Sequence, residues 1–87
     1  MSAKTETLEE VRGLLAHALQ LGGRSAELQA DTALLGNLPE LDSMAVVHVL
    51  AAIEEHFGIS IDDDEVSADT FATFGGLADF VESKLAV

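Results

Sequence analysis

The chain has 87 residues, 48% of them hydrophobic, and sixteen Asp/Glu against four Lys/Arg leave a formal charge of −12. That describes one small domain with enough apolar material for a core and argues against disorder. So acidic a surface repels phosphate backbones, which excludes nucleic-acid binding.

The basic residues are Lys4, Arg12, Arg24 and Lys84, so the stretch from Ser25 to Ser83 has no Lys or Arg at all. Such a surface is repelled by anionic membranes and attracted to proteins with basic patches, and its self-repulsion favours a monomer. There is no cysteine, hence no disulfide framework and no thiol from the protein itself. No apolar run approaches the roughly 20 residues of a membrane span. The N-terminal "MSAKTETLEEVRGLL" places acids where a signal peptide needs an unbroken apolar run, so the expected location is the cytoplasm.

The first helix is expected over about Thr5 to Leu21. Thr7 and Glu10 form a capping-box pattern, with a start one turn earlier also open. Leu8, Val11, Leu15, Ala18 and Leu19 recur at helical spacing, and Gly22-Gly23 supplies a stop. From Arg24 to Asp42 no period survives. Gly36, Asn37 and Pro39 are turn residues, yet Leu34, Leu35, Leu38 and Leu41 predict a loop packed across the core rather than a free linker.

A second helix is expected from about Ser43 to Phe57, with Val46, Leu50, Ile53 and Phe57 as its buried stripe and Gly58 as its end. "MAVVHVL" is rich in β-branched residues, but the helical period runs on through "AAIEEHF". Asp62 and Glu65 then have the spacing of a cap and first turn, which predicts a short helix. Thr73 caps a last helix whose inward stripe is Phe74, Leu77, Ala78, Val81 and Leu85, with Gly75-Gly76 weakening its first turn. The sum is an all-α fold: a small four-helix bundle of three longer helices and one short helix, with a long first loop, forming a single domain over residues 1–87.

Catalytic chemistry finds little support. His17, His48 and His56 have no sequence pattern linking them to a nucleophile. Ser43 lacks the G-x-S-x-G setting, and His48, five residues on, falls about 500° around the helix on a neighbouring face. A calcium loop begun at Asp62 would put Ser67 at its sixth position and Thr73 at its twelfth, where glycine and glutamate are required. Ser43 itself is open to two readings. Asp-Ser before a helix is an ordinary capping pair. It also stands at the exit of a long leucine-rich loop, near mid-chain, where a hydroxyl could be presented to something else.

With Asp42-Ser43-Met44, a helix ending "IEEHFGI", Leu34-Leu35-Gly36 in the loop, the acidic "IDDDEV" and "TFGGLADFV" near the end, the chain resembles the acyl carrier protein family over essentially its whole length. The resemblance implies that Ser43 accepts a 4′-phosphopantetheine group from coenzyme A through a separate magnesium-dependent phosphopantetheinyl transferase. It implies no catalytic activity, and a thiol supplied by the prosthetic group. Asp42 would hold the turn and assist recognition. Enzymes that load and unload acyl groups through basic docking patches would meet the second helix, where Met44 and Val47 are either core or a small exposed apolar patch. Glu54 and Glu55 would add charge further along.

Typical fatty-acid carriers have acids in the turns after the serine, whereas this chain has Ala45 and His48, with Ala51 beyond. "LPELDSMAVVHVL" looks more like specialised stand-alone carriers, among them those found with exosortase systems beside an AMP-forming acyl ligase and the D-alanyl carriers. The competing expectations are an unmodified acidic helical adaptor that docks a basic partner, and a carboxylate-rich metal binder.

Overall fold

In the computed structural model, which describes residues 5–36 and 41–85, three α-helices build the core: α1 (Thr5–Ala18), α2 (Ser43–Phe57) and α3 (Phe74–Leu85). Val11 and Leu15 bury one face of α1, and Leu19, just past its end, extends that face into the core at the same four-residue spacing. Thr7 is not the cap that its spacing to Glu10 suggests. The helix already includes Thr5, and Thr7 is buried inside it with its hydroxyl donating to Glu82 Oε2 on α3. A buried hydroxyl needs such a partner, and this one ties α1 to α3.

The end of α1 also differs from expectation. The helix stops at Ala18, before the glycine pair, because Gln20 itself takes the left-handed conformation at φ 53°. Leu21 N–H then donates to Ala16 O at 3.0 Å while the Leu21 side chain turns into the core. That is a Schellman closure with its usual apolar contact. A 3-10 helix over Gly22–Glu27 follows. Arg12 clamps it: one guanidinium nitrogen donates to both Ser25 O and Leu28 O, and the group lies 5.1 Å from the centre of the Phe74 ring.

The expected leucine crossing exists, with Leu28, Leu34 and Leu41 buried. Leu35 departs from it and is exposed, and Leu38 and Pro39 lie outside the described residues. The crossing is laced to the start of α3 through a single antiparallel bridge between Ala33 and Thr73. Phe74 N–H donates to Thr32 O at 2.9 Å and Gly75 N–H to Ala30 O at 2.8 Å, while Leu34 N–H donates to Ala72 O at 3.0 Å. Gly75 therefore does more than weaken a helix turn. A Cβ there would sit 2.7 Å from Ala30 O, so only glycine lets the two backbones come this close.

On α2 the fully buried side chains are Val49 and Ile53, with Val46, Leu50 and Phe57 packed at their edges. The expected stripe is the right face with its centre shifted by Val49. Gly58 ends the helix at φ 68°, as its position suggested. Two single-turn 3-10 helices, Asp63–Glu65 and Ala68–Phe71, stand where one short helix was expected. Thr73 caps α3, its Oγ1 accepting from Gly76 N–H at 2.9 Å. Phe74, Leu77, Ala78 and Val81 face inward, but Leu85 is exposed where α3 runs past the core. Among the described residues there is no strand, and the architecture is the all-α bundle.

Glu65 joins the acidic turn to α3. One carboxylate oxygen accepts from Asp62 N–H at 2.8 Å and the other meets Lys84 Nζ at 2.6 Å. The backbone hydrogen bond first, then Lys84, hold its pKa below the usual glutamate value. A lowered folded pKa stabilises the fold above the ordinary glutamate range, and that contribution is lost as pH falls through the folded value. Thermal melts of wild type and Glu65→Gln should therefore differ at neutral pH and converge in acid.

Two alanine substitutions should move stability in opposite directions in urea titrations. Gly75→Ala forces rigid backbone apart and should cost about 1–3 kcal/mol. Gly13→Ala, at an α1 position with nothing within 4 Å of the added carbon, should gain roughly 0.5–1 kcal/mol.

Candidate functional site

Leu41 is buried, and two residues later Ser43 is exposed at the first position of α2. Asp42 makes the turn between them. Its backbone is extended at φ −99° and ψ −175°, and its side-chain Oδ1 accepts from Ala45 N–H at 2.8 Å. Its carbonyl accepts from Val46 N–H at 2.9 Å, so one residue both caps and opens the helix. The N–H groups of Ser43 and Met44 have no acceptor within the helix, as is general for a first turn. No acid follows in that turn. The Ser43 hydroxyl thus sits on the positive end of a fifteen-residue helix, open to solvent.

The question of Met44 and Val47 resolves toward the surface: they are 64% and 57% exposed. Three residues apart, they share a face beside Ser43. His48 and Ala51 are exposed on the same side, at the next three- and four-residue steps. In the sequence Ala51 stands out only as a departure from a family pattern, and His48 for that and as a histidine five residues after Ser43. Their spacing from Met44 and Val47 was the available signal that all four lie together.

Glu54 and Glu55 differ in kind. Glu54 is half-buried, and its Oε2 accepts from Ile61 N–H at 2.7 Å, which folds the acidic segment back against the end of α2. Glu55 is exposed and, with Leu14, His17, Ala52 and His56, lines an open concavity of about 530 Å³ between α1 and α2. All three histidines are exposed. His56 Nε2 lies 3.2 Å from Glu10 Oε1, and no hydrogen bond joins Ser43 to a histidine among the described residues. Nor do the described residues gather three His, Asp or Glu side chains in a way that could hold a metal ion. No helix among them is long and apolar enough to cross a membrane.

A family model described as "Phosphopantetheine attachment site" matches residues 9–81. The acyl carrier protein of Thermosynechococcus vestitus is 32% identical over 83 residues, which are 95% of this chain and 96% of that protein. The solution NMR structure of a holo acyl carrier protein from Nitrosomonas europaea matches with a TM-score of 0.88 at 57% identity, covering 95% of this chain and 100% of that one.

The cap and the hydroxyl should separate cleanly in denaturation experiments. Asp42→Ala should lose about 0.5–2 kcal/mol and Asp42→Asn only a fraction of that, because asparagine caps equally well. Ser43→Ala, at an exposed hydroxyl with no hydrogen bond among the described residues, should stay within about 0.5 kcal/mol of wild type.

Proposed function

This chain belongs to the acyl carrier protein family, whose members are carriers rather than enzymes and bear 4′-phosphopantetheine covalently, and we propose that Ser43 is the residue to which that group is attached. The observation that carries the proposal is an exposed hydroxyl at the first position of α2, directly after the Asp42 cap. The residues fit the group. A phosphodiester at Ser43 would lie at the positive end of α2, beside the first-turn N–H groups of Ser43 and Met44, which have no acceptor within the helix, and no acid in the first turn would repel it. In the attachment step a bond forms between Ser43 Oγ and phosphorus as the pyrophosphate of coenzyme A breaks. The hydroxyl proton would pass to a base of the transferase, and adenosine bisphosphate would leave with the electron pair of the broken P–O bond.

When bound, the group supplies a flexible arm ending in a thiol, which holds acyl cargo as a thioester. The chain's own part is to hold the attachment point rigid and exposed. Asp42 does this through the cap, and Leu41 through its burial. Phosphopantetheinyl transferase and acyl-handling enzymes are the partners. In this reading they dock on α2 through Met44 and Val47, with Glu54 and Glu55 offering charge to basic patches in the cytoplasm. The cargo goes to enzymes of fatty-acid or specialised lipid metabolism. The uncharged first turns of α2 favour the specialised branch, because a partner built to pair with acids there would find none.

Incubation with coenzyme A, magnesium and a broad-specificity transferase should add one phosphopantetheine to the intact chain by mass spectrometry, and none to Ser43→Ala. Modification of Ser43→Ala, or an unmodified wild-type chain with an active transferase, would exclude Ser43 as the attachment point.

A further inference from the structure

The chain has no cysteine and two methionines, Met1 and Met44, so Met44 carries the one sulfur atom among the described residues. It is 64% exposed, more than any other large apolar side chain described. Burial is what ordinarily shields a thioether from oxidants, and Met44 lacks it. Its place matters as much as its exposure. Met44 is the second residue of α2, and helix side chains lean toward the N-terminus, so the surface it covers lies over the turn that opens at Asp42 and Ser43. Asp42 already takes two of the first-turn donors, Ala45 N–H through Oδ1 and Val46 N–H through its carbonyl. The N–H groups of Ser43 and Met44 are the two left over.

A thioether is a weak acceptor and leaves those two donors free for an incoming phosphate. Oxidation changes that. When the Met44 sulfur attacks hydrogen peroxide, an S–O bond forms as the O–O bond breaks. Sulfur is oxidised by two electrons, and the proton of the transferred oxygen passes to the departing hydroxide, which leaves as water. The product is a polar sulfoxide whose oxygen carries partial negative charge. At the positive end of α2 that oxygen is an acceptor for the donors a phosphate at Ser43 would use. Resting on attachment at Ser43, we propose that Met44 is an oxidation site whose sulfoxide hinders phosphopantetheine attachment to Ser43 and whose reduction restores it. The same oxidant attacks thiols. A chain that takes the arm slowly under peroxide therefore withholds a thiol from conditions that would oxidise it.

The test treats the full chain with hydrogen peroxide, removes the excess with catalase, locates the added oxygen by peptide mass spectrometry and then follows transfer from coenzyme A. Met44 in the folded chain should gain one oxygen at close to the rate measured in urea. The initial rate of attachment should then fall roughly threefold to fivefold, the size of one interaction at a helix terminus. It should recover after treatment with the two methionine sulfoxide reductases, one for each epimer. Met44→Leu, which keeps an apolar side chain without sulfur, should be modified at one rate before and after peroxide. Circular dichroism melts of the reduced and oxidised chains should coincide, because Met44 lies outside the core. Protection of Met44 in the folded chain, attachment to the sulfoxide form at the untreated rate, an equal loss in Met44→Leu, or unfolding of the oxidised chain would each overturn the proposal while leaving attachment at Ser43 intact. An untreated wild-type chain that is not modified at all would overturn both.

Discussion

Within three residues the backbone passes from the closed core to open solvent: Leu41 is buried, Asp42 caps, and Ser43 is exposed. Every functional property argued above depends on that step. If Leu41 left the core, the chain entering α2 would lose its anchor and the helix start could slide. If the cap were lost, the first turn would fray and the hydroxyl would sample many positions instead of one. The two interactions are of different kinds, one burial of a side chain and one directional hydrogen bond to Ala45 N–H. Together they fix both the depth and the orientation of the helix start.

That step is supported from a distance by how the first loop is held. Between α1 and α2 the described residues form no α-helix or strand, which leaves backbone groups to satisfy and conformational entropy to overcome. The structure answers with backbone hydrogen bonds to the start of α3 and with the Arg12 clamp onto Ser25 O and Leu28 O. The Arg12 side chain thus serves the interior of a strongly acidic protein. It also lies 3.4 Å from Glu9 Oε2 one turn earlier on α1, so this one cation serves both the loop and the helix surface.

The parts of this architecture written in local pattern were the legible ones. The bounds of α2, the glycine at its end and the Thr73 cap of α3 follow from residue types whose backbone preferences act within one turn. What stayed hidden depends on which element arrives from elsewhere. Thr7 looks like a cap until Glu82 of α3 is brought beside it. Gly75 looks like a helix breaker until Ala30 is laid across it. Of three valines within four residues the helical period picks Val46 for the buried stripe, whereas packing puts Val49 in the core, Val46 at its edge and Val47 in solvent. Gln20 in the left-handed region runs against expectation because a glycine pair stood two residues further on. For the site the same division holds. Asp42-Ser43 announces a helix start in one dimension, whereas exposure of the hydroxyl and of its apolar neighbours needs the third.

Exposed Met44 and Val47 raise a physical difficulty, since an apolar patch at a helix start invites two copies of the chain to associate. Net charge supplies the counterweight. Two copies that meet patch to patch each bring a formal charge of −12, and the repulsion between them opposes the small gain from covering a few methyl groups. A partner with basic groups feels the reverse, attraction at long range and apolar burial at contact. The charge that discourages self-association therefore selects for a differently charged surface, with no large interface required. That arrangement suits a carrier that must meet several enzymes in turn and leave each one, because affinity assembled from weak steering and a small dry contact can be given up quickly.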